Sequence, residues 1–372
     1  MSPTVGPLGR LRIALLNLSK IPPTKIKSPS TQPRRASVSI IIHARQTNTS
    51  VMTDLEQFWE LPWVQKGVPE ILYIKRALRE GDRWSGQMAF PGGKQDPVDV
   101  DDLDTAERET FEEVGLDLGN PEQFYCVGAL DDREVTTTFG KKLLMILCPF
   151  VFLQTTPEPL QIEISGSEVA STHWVPLAYF FDEKITRTWD PISVDISSRL
   201  APNSWVLQRM LQTLTGRLHF HCIKLPSVET IKNQNINNND DITATATPTP
   251  IINSTSQSTE YLQLWGLTLQ MTSDLMDMMY LIGEEPPRRL DAIRPKFDYP
   301  DVNFFIWCFL RNNRGDYRRK KMELATRRRK WANGWIDYYS AVRKALLIAI
   351  FTRTILAFFI LSRGSRYLFG KT

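Results

Sequence analysis

Phe90-Pro91-Gly92-Gly93-Lys94-Gln95-Asp96-Pro97-Val98-Asp99-Val100-Asp101-Asp102, continued after five intervening residues by Arg108-Glu109-Thr110-Phe111-Glu112-Glu113-Val114-Gly115-Leu116, is the stretch on which the reading of this chain turns. Gly92-Gly93 marks a sharp turn, since glycine alone enters strained backbone without a Cβ penalty. Asp101 or Asp102 supplies a side-chain oxygen that can cap a helix, and Gly115 ends it. Between them Leu103, Ala106, Thr110 and Val114 recur at helical spacing, so a loop, a helix to about Val114 and a second loop are predicted. Glu109 and Glu113 stand four apart and Glu112 three beyond Glu109, which puts three carboxylates on one helix face. Charges so crowded repel unless a cation sits among them, and hard oxygen donors on a rigid helix suit Mg²⁺ or Mn²⁺. Mg²⁺ is usually held by a few carboxylates together with substrate phosphates, which points to a diphosphate substrate.

Taken alone, Arg-Glu-x-x-Glu-Glu reads as a solvated helix face. The joint pattern of Gly93, Arg108, Glu109, Glu112, Glu113 and Gly115 outweighs that reading, because those residues resemble the Nudix box, G-x5-E-x7-R-E-U-x-E-E-x-G-U with U aliphatic. This chain departs from the box in three ways: the span from Gly93 to Arg108 is one residue longer, the early Glu is replaced by acids that include Asp96, Asp99 and Asp101, and Thr110 occupies an aliphatic position. Similar departures mark the coenzyme A diphosphatase branch, whose pattern resembles F-P-G-G-K-x-D-P-x-D-x-D-D, as Phe90 to Asp102 read here. That branch has an upstream signature which Arg76-Ala77 and Gly86 to Phe90 match, with Arg83 three rather than four residues before Gly86. His173-Trp174-Val175-Pro176-Leu177 is similar to the W-x-P-L turn late in Nudix domains.

The resemblance implies an α/β fold of Nudix type, a mixed β-sheet between helices, with Mg²⁺ or Mn²⁺ held by Glu109, Glu112 and Glu113 and by the Gly93 carbonyl. It implies catalytic roles for Glu112 and Arg108, and for one acid outside the box. Glu134, Glu163 and Glu168 are the candidates for that acid, with Glu168 preferred because it precedes His173-Trp174. Arg76, Arg83 and Lys94 are the preferred substrate-phosphate partners, with Lys75 and Arg79 behind them. Coenzyme A or acyl-CoA is the implied substrate, split to 4′-phosphopantetheine or its acyl derivative and adenosine 3′,5′-bisphosphate. The rivals are another nucleoside diphosphate derivative, such as a dinucleotide or nucleotide sugar, and a non-catalytic Nudix-like membrane-associated binding module.

Working outward, Ala36 to His43 and Ile71 to Arg76 read as strands, as do Phe124 to Ala129, Lys142 to Leu153 and Ala170 to Val175. Lys142 to Leu153 is almost wholly apolar and is expected at the centre of the sheet. Helices are expected at Ser204 to Leu214 and Tyr261 to Tyr280, with Arg217 to Leu225 as a strand between. The stretch 229–260 is rich in Asn, Thr and Ser and reads as a disordered insertion. The expected plan is a basic segment over 1–34, a hydrolase domain over 35–280, a basic helical region over 281–344, a membrane-prone helix over 345–361 and a basic tail over 362–372.

The 372 residues carry a net charge of only +4, but unevenly. No acid precedes Asp54, and from Arg311 onward sixteen Lys and Arg face three acids. A basic head and tail thus flank an acidic body. The head is read as a mitochondrial presequence or as a short helix packed on the domain. Residues 345–361 hold one charge, Arg353, and are read as a tail anchor of a peroxisomal or mitochondrial membrane, an in-plane helix or a packed one. The basic runs lack interleaved aromatic residues, so nucleic acid is not an expected partner. Gly370-Lys371-Thr372 is not a Ser-Lys-Leu address. Cys126, Cys148, Cys222 and Cys308 are too scattered for a disulfide framework or a zinc site, and His219 and His221 have no further ligand at metal spacing.

Overall fold

The computed structural model describes residues 6–45, 58–80, 82, 84–137, 142–157, 160–197, 201, 203–225, 262–280, 289–291, 293–312, 338–356, 358 and 359. Arg83, the stretch 229–260, the basic runs of 318–330 and the tail 362–372 lie outside them.

The central strands are fixed by runs of β-branched and aromatic residues with apolar side chains on both faces, the pattern of a sheet covered on both sides. Among the described residues eight strands join in one sheet: β1 (Arg35–Arg45), β2 (Val68–Arg76), β3 (Met88–Ala89), β4 (Gly92–Lys94), β5 (Phe124–Ala129), β6 (Arg133–Thr136), β7 (Leu143–Gln154) and β8 (Val169–Pro176). β1 and β7 run parallel at the centre, paired from Arg35 with Ile146 to Ile42 with Leu153. β2 lies antiparallel to β1, to β3 and to β8, and β5 and β6 lie antiparallel to β7. The sheet is therefore mixed, and its apolar centre is where the sequence places it.

Successive side chains alternate between two cores, as the two-residue period of a strand requires. Ile40, Ile42, Ile71, Tyr73, Val151 and Leu153 meet Leu11, Ala14, Leu15 and Leu18 of α1 (Pro7–Lys20) and Leu275 and Met276 further on. Ile41, Leu72, Ile74, Phe150 and Phe152 meet Ala106 and Val114 of α2 (Asp102–Val114) on the other face. The helix holding Leu275 and Met276 spans Gly266–Met278, five residues later than the spacing suggests, because Leu262–Leu264 pairs with Ile223–Leu225 as a separate ribbon. Arg217 to Leu225, read as one strand, divides at Cys222: Leu218–His221 joins Pro191–Val194 and Lys296–Phe297 in a small second sheet.

Two further helices close the described chain, Pro300–Asn312 and residues 338–356. Val302 and Ile306 of the first pack on Val342, Ala345 and Ala349 of the second. Among the described residues no helix is long and apolar enough to cross a membrane, and residues 357, 360 and 361 of the stretch 345–361 lie outside them. Arg353 of the second helix turns inward to Asp301 at 2.6 and 2.7 Å and lies 4.0 Å from the centre of the Tyr299 ring.

Candidate active site

Local signals alone build α2. The Asp101 side chain accepts from the Leu103 and Asp104 N–H groups at 2.8 and 2.9 Å, and Gly115 closes the helix at φ 72°. Thr110, at the position where an aliphatic residue is expected, donates to the Ala106 carbonyl and meets the Ser39 hydroxyl of β1 at 2.8 Å, so a buried polar bridge pins the helix to the sheet.

The preceding loop is pressed onto this helix through its glycines. β4 pairs with β1 so closely that a side chain at Gly92 would strike the Ser37 carbonyl, and Gly92 itself adopts φ 141°. A side chain at Gly93 would meet the Glu109 carboxylate. The Gly92 N–H donates to Glu113 Oε2 at 2.9 Å. The carbonyl of Lys94 accepts from Arg108, while its own side chain is exposed.

Arg108 organises the face. Its Nε and one terminal nitrogen clasp Asp99 at 2.7 and 2.9 Å, and its remaining donors reach Glu109 Oε1 and Glu112 Oε2, each at 3.1 Å. That fork holds Asp99 well below the usual carboxylate range. Glu113 is 1% exposed, and its burial pushes its carboxyl up to about 7 against the opposing pull of the Gly92 N–H and of Arg76. Burial raises Glu109 as well. Two neighbouring acids thus carry unfavourable charge at neutral pH, which is the state a divalent cation relieves.

The residues that fit such an ion are Glu109, Glu112 and Glu113, all with hard oxygen donors, on one side of α2. In this arrangement Glu112 is drawn to Arg108, and among the described residues no three acidic, His or Cys side chains meet at one point.

Outside the helix, Arg76 lies close enough to favour the charged form of Glu113, binds Asp82 at 3.0 Å, and keeps a buried Nε with no hydrogen-bond partner among the described residues. Glu168 is near enough to Glu109 and Glu113 to raise both, and is held by Arg79, which donates to Glu168 at 2.9 Å and to the Ser167 carbonyl at 2.7 Å. Of the other two acids considered, Glu134 is exposed on β6 and Glu163 lies against Gly115 at the far end of α2. Sequence reasoning missed Asp82 as the partner of Arg76, and nothing in its spacing announces it. It also left Asp99 as one acid among several, although a carboxylate nine residues before Arg108 is the one the guanidinium clasps. His219 binds Asp298 and Ser193, and His221 stacks on Trp189; both stand in the second sheet and not at this site.

A glycine loop clamped on a helix with this order of Arg and Glu defines a class: residues 63–192 match the family model of the NUDIX domain, and the chain carries a Nudix domain with the corresponding α/β fold. Among its relatives is an uncharacterised protein of Schizosaccharomyces pombe, 37% identical over 206 residues, 53% of this chain and 57% of that protein. The mitochondrial coenzyme A diphosphatase NUDT8 of Homo sapiens is 53% identical over 51 residues, 14% of this chain and 22% of that one. The peroxisomal coenzyme A diphosphatase NUDT7 of Mus musculus is 39% identical over 122 residues, 31% and 44% of the two chains. The chain thus spans 57% or less of the length of each of these relatives.

Proposed function

We propose that this protein hydrolyses the diphosphate bond of coenzyme A or acyl-CoA, releasing 4′-phosphopantetheine or its acyl derivative and adenosine 3′,5′-bisphosphate. The observation that carries the reading is the pair of half-buried Glu109 and buried Glu113, set against Gly92-Gly93 while Asp99 holds Arg108 in place. Glu109, Glu112 and Glu113, with the Gly93 carbonyl, are the groups that would hold Mg²⁺ or Mn²⁺. When bound, the ion screens phosphate charge and lowers the pKa of an attacking water.

The chain's own residues do the remaining work. Arg76, with its unengaged buried Nε, and Lys94 receive phosphate oxygens; Arg83 is proposed for the same role and lies outside the described residues. Glu168, oriented by Arg79, accepts a proton from water as its oxygen bonds to one phosphorus and the bond from that phosphorus to the bridging oxygen breaks. The leaving phosphate keeps the electron pair, and positive side chains offset its charge. Arg108 is a positioning residue that spaces Glu109 from Glu112.

The substrate assignment draws on the Phe90 to Asp102 pattern and on the named activities of the two diphosphatase relatives. Comparing full-length protein on coenzyme A and on its 3′-dephospho form tests it. A clear preference for coenzyme A is expected, and equal rates would remove the 3′-phosphate from the proposal. The same relatives are the basis for proposing a mitochondrial or peroxisomal location, which fractionation of tagged protein decides; a purely cytosolic distribution would reject it.

A further inference from the structure

Most of the acids around the candidate metal position have a guanidinium of their own. Arg108 reaches Glu109 and Glu112, and Arg79 holds Glu168. Glu113, the most deeply buried of the four, instead accepts from a backbone group, the Gly92 N–H. A third guanidinium is at hand. Ile74 and Arg76 share one face of β2, since side chains alternate along a strand, and Ile74 packs in one cluster with Val114 of α2. Arg76 thus stands on the α2 side of the sheet, near enough to favour the charged form of Glu113. Among the described residues its side chain nevertheless bonds to Asp82 and not to Glu113.

Asp82 is fixed in a way that keeps that bond. Its Oδ2 accepts from Arg76 Nη2 and its Oδ1 from the Trp84 N–H, each at 3.0 Å, so the carboxylate is held by its own turn. The Trp84 N–H foremost, and Arg76 as well, hold Asp82 below the usual carboxylate range, so it stays charged. The turn is tied back in its own right. The Ala77 N–H donates to the Glu168 carbonyl at 2.8 Å, and the Arg79 N–H to Ser85 Oγ at 2.7 Å. An unrestrained guanidinium beside a buried carboxylate closes on it, because their attraction is strong where water is excluded. A carboxylate paired in that way is lost to a metal ion, whose charge the same guanidinium also repels. We infer that Asp82 is a positioning residue: it keeps Arg76 off Glu113, leaving the carboxylate open to a divalent cation and the guanidinium to a substrate phosphate. The inference rests on the metal-dependent diphosphatase reading and deepens it.

Isothermal titration of Mn²⁺ into full-length wild type, Asp82→Asn, Arg76→Gln and the double variant tests it without recourse to turnover. An amide offers one acceptor oxygen to two donors and carries no charge, so Asp82→Asn releases Arg76. Mn²⁺ affinity should then fall about tenfold or more, the usual effect of changing a residue that stands behind a metal ligand. Arg76→Gln should not weaken binding. Added to Asp82→Asn it should restore the lost affinity, because no guanidinium is left to close on Glu113. Unchanged affinity in Asp82→Asn overturns the proposal. So does a loss that persists in the double variant, which is the mark of a damaged turn. Wild type that binds no Mn²⁺ removes the metal reading itself, and is distinguishable from both.

Discussion

Glu113 shows how burial and function pull against each other. Its carboxyl is raised from the ordinary 4.5 to about 7, so without metal it folds preferentially with a proton bound. The stabilising contribution of that protonated form is full below about 4.5 and is lost as pH rises through about 7. Glu113→Gln should therefore leave the metal-free protein little changed at acid pH and make it more stable than wild type by about 3 kcal/mol above neutrality, which urea denaturation at the two extremes measures. For metal the sign reverses. Binding displaces the proton, so apparent Mg²⁺ affinity should fall about tenfold for each pH unit below about 7. Isothermal titration at several pH values reads this directly, and a flat profile would detach Glu113 from the ion. The glycines separate in the same way. Gly92→Ala meets the backbone at Ser37 in a positive-φ conformation and should cost about 3 kcal/mol, whereas Gly93→Ala displaces only the end of Glu109 and should reduce turnover with little loss of stability.

At the scale of elements, α2 was legible because its signals are local: Asp101 caps it, Gly115 ends it, and Leu103, Ala106, Thr110 and Val114 trace its inner side. The central strands were legible for a related reason, since a residue run as apolar as Leu143–Gln154 has nowhere to go but a covered sheet. Elements defined by a distant partner were not. β6 holds only Arg133–Thr136, two of them charged, and is a strand because it pairs with Leu143–Leu147. Likewise Tyr261 to Tyr280 has helical character throughout, yet Leu262–Leu264 is claimed by Ile223–Leu225. The three glutamates on α2 were readable by spacing, whereas the fork from Arg108 to Asp99 and the clasp of Arg79 on Glu168 depend on folding. Asp101→Ala should cost about 1 kcal/mol with activity retained, as a cap does. Asp99→Asn should instead lower kcat at least tenfold, because one displaced guanidinium frees both Glu109 and Glu112; an unchanged kcat would make Arg108 merely structural.

For the whole molecule, the helix Gly266–Met278 is joined to the sheet by a buried ionic network that no sequence period announces. Arg133 of β6 meets Asp274, and Arg289 meets Asp274 at 2.6 Å, Asp291 at 2.9 Å and Asp277. Such a network owes its importance to desolvation, since removing its cation leaves buried carboxylates without compensation. Arg289→Gln should cost about 3–5 kcal/mol, measured by urea denaturation, without altering the proposed catalytic face on the opposite side of the sheet. On one side of the sheet α2 and the glycine loop present the proposed hydrolytic groups, and the helices beyond Pro300 expose apolar side chains that include Trp307, Leu347 and Phe351. The central claim is that the Nudix face cleaves coenzyme A. Incubating the full-length protein with coenzyme A and Mg²⁺ tests it most directly, with EDTA and Glu113→Gln as controls. 4′-Phosphopantetheine and adenosine 3′,5′-bisphosphate are expected in equal amounts, and both should be lost in the two controls. Intact coenzyme A after incubation of folded, Mg²⁺-loaded protein would contradict it.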